Sequence, residues 1–202
     1  VRLGPYAIRE RLVTCQEYLN FLHALWRYNP KLAKQRAPRD LALRVRLWPL
    51  DDVQGFTLPS PNKLRQWRPQ WPVFGVSLED ARAFCMWESE RLNVYVRLPT
   101  EDEWEKALRG VDGRVFPWGD RVDPERINSR ELGPGDTAPV LSYPRAASPF
   151  EVYDGAGNAA EWTSTPGPSN RDPSPSSSIG GVGELVIVGS CGVWCNRSGR
   201  CS

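Results

Sequence analysis

Three cysteines, one histidine and one short acidic turn hold most of the chemistry that residue types alone can offer in this 202-residue chain. Cys191, Cys195 and Cys201 crowd the C-terminal end, where paired thiolates suit a soft metal or redox work. Cys15 and Cys85 stand alone on predicted helical faces and read as small buried apolar residues. An odd total of five, without a secretory apolar segment, argues against a disulfide framework. The single histidine, His23, removes every metal site that needs two or more imidazoles. A Ser/His/Asp triad through it stays open, but no G-x-S-x-G elbow accompanies it, and a partly buried helix residue is the plainer reading. In Asp154 to Glu161, two carboxylates flank glycines within eight residues. Such a turn aims oxygens at one point, as a hard cation needs, or is simply tied by hydrogen bonds of Asp154.

The elements that must position these groups announce themselves through their caps. Thr14 to Glu17, Ser77 to Asp80 and Thr100 to Glu103 each place a hydroxyl at the N-cap and an acid three residues on. The first box predicts a helix with Tyr18, Leu22, Leu25 and Trp26 inward, ending at Asn29-Pro30. The second predicts Ala81, Phe84, Cys85 and Leu92 inward; the third predicts a short helix with Trp104, Ala107 and Leu108 inward and Gly110 as its stop. Lys31 to Pro72 reads as a long excursion with basic residues and repeated prolines but no clear periodicity. Short strands are predicted at Val140 to Tyr143 and Leu185 to Val188, and residues 165–183 read as a flexible loop. The 19 Pro and 17 Gly would point to low complexity, but nine Trp supply apolar area for a packed core. The expectation is one α+β domain over residues 1–202, with two main helices, short strands and little regular structure.

Charge and hydropathy exclude whole classes of function. Against 24 acidic residues the 26 basic ones leave +2, with the arginines scattered, so no nucleic-acid partner is expected. Mean hydropathy is −0.49, and no apolar run exceeds the five residues Ala83 to Trp87, so no membrane span is expected and a cytoplasmic location is.

Several motifs then fall in a recognisable order. Trp71 to Ala81, Arg97-Leu98-Pro99-Thr100 through Ala107, and Phe116-Pro117-Trp118-Gly119-Asp120 come first. Thr137-Ala138-Pro139-Val140, Val152-Tyr153-Asp154 and Gly157 to Thr163 follow. Together they resemble the formylglycine-generating enzyme (sulfatase-modifying factor) family. The resemblance implies that family's elaborated C-type lectin-like fold. It also implies calcium, held by carboxylate oxygens of Asp154 and Glu161 and carbonyls of Gly157 and Ala159; the family's other calcium region is matched only at Asn128.

Two functions follow from the C-terminal segment. The family's oxidases use two cysteines five positions apart and bind copper, whereas here Cys191 and Cys195 are four apart and Cys195 and Cys201 six, with Cys191 replacing the usual aromatic after Gly-Ser. Variable proteins of diversity-generating retroelements share the scaffold and end in a segment randomised at adenines. Segment 188–202 is built largely of Cys, Gly, Val, Ser and Arg, types that such codons yield. This reading makes Cys191, Gly192, Val193, Trp194, Cys195, Asn196, Arg197, Ser198, Gly199 and Cys201 the ligand-binding surface for a protein or other macromolecule, centred on Trp194 and Arg197. Under it no residue is catalytic; copper-dependent oxidation of a sulfatase cysteine is the alternative, and a non-catalytic regulatory domain of a larger protein a third.

Overall fold

The three capping boxes form as read. The computed structural model describes residues 2–40, 43–60, 67–129, 136–166, 185–186 and 189–191. Thr14 Oγ1 accepts from Glu17 N (3.3 Å) and Glu17 Oε2 from Thr14 N (2.9 Å), opening α1 (Cys15–Tyr28). Asn29 ends α1 and also caps α2 (Pro30–Arg36), its side chain accepting from Leu32 N at 3.0 Å, with Pro30 pre-set for the first turn. Ser77 and Asp80 make the second box, at the start of a longer helix that turns away at left-handed Asn93.

Before that helix the chain makes a small antiparallel hairpin, β2 (Leu50–Asp51) with β3 (Gly55–Phe56). Then come α3 (Leu78–Leu92), β4 (Val96–Arg97) and α4 (Glu101–Arg109), capped by Thr100 and Glu103 and stopped by Gly110. The rest is turn and loop until β5 (Ala160–Trp162), β6 (Leu185–Val186) and β7 (Gly189–Cys191). β6 pairs in parallel with both β4 and the N-terminal β1 (Ala7–Ile8), and β7 pairs antiparallel with β5.

Three expectations need correction. The excursion after α1 contains α2 and the β2–β3 hairpin, elements of seven and two residues that are too short to show a period. Val140 to Tyr143 is not a strand: Leu141 is left-handed (φ 65°) and Ser142 N donates back to Pro139 O (3.2 Å). Leu92 is 38% exposed, because the chain reverses at Asn93 and Val94 and Val96 fill the apolar position instead. The predicted loop at 165–183 lies outside the described residues beyond position 166.

Aromatic rings supply the core, as the tryptophan count required. Tyr18 stacks on Phe84 (5.8 Å) and meets Phe21 and Trp48 edge-on, while Trp67 stacks on Phe74 at 3.8 Å. Fully burying a side chain of this kind contributes on the order of 3 kcal/mol, which offsets the sparse regular structure. Trp162 packs against the same cluster and donates to Val76 O at 3.0 Å.

The α1 cap is also electrostatic. Burial raises the Glu17 carboxyl, but the Arg11 pair, Arg9 and the Thr14 cap together bring it below its ordinary value of 4.5. A depressed carboxylate adds stability above its unfolded pKa and loses it as pH falls through the folded one. Glu17→Gln is therefore expected to cost about 1 to 2 kcal/mol at pH 7, with the difference from the parent shrinking below about pH 4. Urea midpoints of both proteins at the two pH values check this, and an unchanged gap would refute it.

Candidate functional site

The acidic turn folds into a knot of left-handed residues. Asp154, Gly157 and Asn158 have φ of 61°, 139° and 66°, conformations that Asp and Asn tolerate and that, at Gly157, only glycine adopts readily. Asp154 Oδ2 accepts from Leu141 N (3.0 Å) and Oδ1 from Asn158 Nδ2 (3.4 Å). Asn158 is the hub: its Oδ1 accepts from Asn128 Nδ2 (3.1 Å) and Ala138 N (2.8 Å), and its Nδ2 also donates to Ala138 O (3.1 Å). Sequence reasoning named Asp154 and missed Asn158. Gly-Asn in a tight turn was the available signal.

Both carboxyls of the predicted cation site are strained electrostatically. Burial raises Asp154, with the Leu141 and Asn158 donors and Arg11 opposing. Burial pushes Glu161 up to about 8, the Trp104 indole pulling the other way and Asp154 adding to the rise. That indole nitrogen is itself buried and short of a full hydrogen bond to any partner. Asp154 is buried and Glu161 partly so, and a hard cation held by such carboxyls would offset the cost of keeping them charged. Gly157 O is partly engaged by Ala159 N (2.8 Å) and has a second lone pair. Among the described residues no three His, Cys, Asp or Glu side chains converge, so a cation here needs the backbone carbonyls as well. Asn128, in contrast, spends its amide on Asp136 O (3.1 Å) and Asn158, a hydrogen-bonded arrangement.

The turn runs directly into β5, and β5 carries the C-terminal segment. The register places Ala160 opposite Cys191, Glu161 opposite Ser190 and Trp162 opposite Gly189. Residues 192–202, and with them Gly192 to Gly199 and Cys201 of the predicted ligand face, lie outside the described residues. Within the described residues, β7 ends at Cys191 opposite Ala160, the first residue of β5 after the acidic turn.

The remaining candidates resolve into structural roles. Cys15 and Cys85 are buried free thiols, both pushed up to about 12 chiefly by burial. Neither is expected to react with iodoacetamide at pH 8 before unfolding, which mass mapping of the native and urea-unfolded protein checks. His23 Nε2 meets Phe56 O at 2.7 Å, which ties α1 to β3. Trp118 stacks on Phe116 (5.2 Å) outside the main core. The cleft beside it, lined by Asp120, Arg121, Asp123 and Arg126, holds none of the predicted site residues. No helix of the described residues is long and apolar enough to cross a membrane.

A mixed helix-and-strand domain in which an Asp-Gly-x-Gly-Asn turn launches a strand pair is the class that fold and site define. The chain belongs to the sulfatase-modifying factor enzyme 1-like domain family, which it matches over residues 1–200. It is 39% identical over 107 residues to the inactive C-alpha-formylglycine-generating enzyme 2 of Bos taurus, covering 48% of this chain and 33% of that protein. It is 38% identical over 111 residues to the formylglycine-generating enzyme of Streptomyces coelicolor, covering 48% and 33%. It is also 40% identical over 92 residues to the serine/threonine-protein kinase pkn1 of Chlamydia caviae, covering 45% and 13%. The chain thus spans about a third or less of the length of these relatives.

Proposed function

We propose that this domain is a ligand-binding module whose binding surface is segment 188–202, carried on the β5–β7 pair of a C-type lectin-like scaffold. The observation that carries this is the cysteine register. Cys191 pairs with Ala160 where an aromatic is expected, and the following cysteines stand four and six positions apart in succession, not five. Support comes also from relatives whose names include an inactive enzyme and a protein kinase, so the domain occurs outside active oxidases. The finer form of the reading is the variable protein of a diversity-generating retroelement, supported by the segment's residue types. Its test is the neighbouring DNA, where a reverse transcriptase and a near-copy of the last coding segment are expected; uniform variation of the gene among isolates would refute it.

The oxidase reading is supported by relatives named formylglycine-generating enzyme, that of Streptomyces coelicolor at 38% identity among them. Under it Cys195 and Cys201 would hold Cu(I), which activates oxygen when bound. Reduced protein given Cu(I) and a cysteine peptide of sulfatase type separates the two: the binding reading expects no aldehyde product by mass spectrometry, and turnover would overturn it. Calcium is proposed as a structural ion at Asp154 and Glu161, with carbonyls of Gly157 and Ala159. Adding calcium to chelator-treated protein is expected to raise the melting midpoint, and Glu161→Gln to abolish that rise; an unchanged midpoint in the parent removes the site.

A further inference from the structure

A chain of net charge +2 conceals one strongly basic stretch. Residues 27–46 hold seven cations against the single carboxylate of Asp40. Four of the seven have work inside the fold. Arg36 and Arg39 pair with buried Asp80 (3.1 and 2.8 Å), Lys34 lies over Trp26 and reaches Asp52 at 3.6 Å, and Arg27 sits in the last turn of α1, where the helix dipole favours it. Lys31, Arg44 and Arg46 have none of these roles. All three are exposed and make no ion pair among the described residues.

Lys31 stands in the first turn of α2, and Arg44 and Arg46 follow the helix's C-terminal end in the chain. Lys31, Lys34 and Gln35 share its exposed face at i, i+3 and i+4. Asp40 joins the 43–46 turn through Asp40 N to Val45 O (2.8 Å) and Arg44 N to Asp40 O (2.7 Å), and Arg39 Nη1 donates to Gln35 O at the C-terminal end of α2. At the other end, Asn29 alone separates α1 from α2. Among these cations stand Tyr28, 89% exposed, Leu43, 74%, and Val45, 58%. Single exposed apolar residues are ordinary; three of them interleaved with unpaired cations around one short helix are a surface with two kinds of complementarity.

We infer that the outer face of α2, with the end of α1 and the 43–46 turn, docks an acidic polypeptide segment carrying apolar side chains. The unpaired cations supply steering and charge complementarity, and Tyr28, Leu43 and Val45 supply the desolvated contacts that hold the partner. The apolar trio favours a polypeptide over a phosphate backbone, to which it would offer little. This inference is independent of segment 188–202.

The test uses a fluorescein-labelled synthetic peptide of glutamate and leucine, with single-stranded DNA of equal net charge as the second probe, both read by fluorescence anisotropy. The triple variant Lys31→Glu, Arg44→Glu and Arg46→Glu is expected to weaken peptide binding by about tenfold or more, and Tyr28→Ser to weaken the peptide without changing the DNA. The control triple Arg2→Glu, Arg82→Glu and Arg121→Glu makes the same charge change at exposed sites elsewhere and is expected to change binding less than about threefold. The milder pair Lys31→Gln and Arg46→Gln is expected to fall between. Failure of the parent to bind the peptide, equal losses in the two triples, or tighter and equally sensitive DNA binding would each overturn the assignment.

Discussion

Gly157→Ala is expected to destabilise the domain by about 3 to 5 kcal/mol, by adding two costs at one atom. At φ 139° an L side chain is strained wherever it points, which costs about 1 to 3 kcal/mol. The added Cβ would also lie 2.5 Å from Asn128 O and 2.9 Å from its carbonyl carbon. These are backbone atoms, and Asn128 O already accepts from Asn158 N at 2.8 Å, so neither can rotate aside. Relief requires parting the 128 strand of loop from the acidic turn, and that parting breaks the Asn128–Asn158 bond as well. Gly155→Ala makes the comparison. Its Cβ would strike the Leu108 side chain at 2.2 Å, a severe contact but with a rotatable partner, so a smaller loss of about 1 to 3 kcal/mol is expected. Chemical denaturation of both variants checks the order. A Gly157→Ala loss below that of Gly155→Ala would mean that the turn is not held against the Asn128 backbone.

What was legible in the sequence is what short-range chemistry decides. Thr14, Ser77 and Thr100 each find their acid three residues away, so the pattern is complete within one helical turn, and all three helices begin where it places them. Gly110 stops α4 for an equally local reason. The misreadings occur where the deciding partner is remote. Leu141 has the composition of a strand residue, but Asp154, thirteen positions on, takes its N–H and fixes a turn. α2 depends on Asn29 serving two helices and on Asp80, far along the chain, holding Arg36.

The candidate site divides along the same line. The Asp-Gly-x-Gly spacing is visible as a turn that gathers oxygens, and the fold confirms a turn there. Asn158 owes its importance to Ala138 and Asn128, twenty and thirty residues upstream, which no spacing rule connects. The Trp104 indole beside Glu161 is likewise a tertiary fact. The basic face of α2 went unread for a different reason. A near-zero total averages a local excess away, and what sets Lys31, Arg44 and Arg46 apart from Lys34, Arg36 and Arg39 is that they make no ion pair among the described residues.

Asp80→Ala is the other substitution expected to have a large effect, because one buried carboxylate serves three elements. Asp80 is fully buried and accepts from Arg36 Nη1 (3.1 Å), Arg39 Nη2 (2.8 Å), Ser77 N (2.9 Å) and Ser77 Oγ (2.8 Å). It therefore closes the capping box of α3, clamps α2 through Arg36 and anchors the 39–46 segment through Arg39. Removing one partner of a buried ion pair costs about 3 to 5 kcal/mol when the other charge stays buried. Here both guanidinium groups keep roughly a quarter of their surface and can reach water. The expected loss is accordingly about 3 kcal/mol, of which the cap alone accounts for about 1. Asp80→Asn retains an oxygen for the cap and is expected to lose about 1 kcal/mol less than alanine. A double-mutant cycle with Arg39→Ala isolates the pair, since the Asp80→Ala loss should shrink in that background, and strict additivity would refute the clamp. The clamp also links stability to the docking surface. With Asp80 gone, the helix that displays Lys31 and the turn that displays Arg44 and Arg46 lose their common anchor, so peptide binding should weaken although no exposed residue has changed.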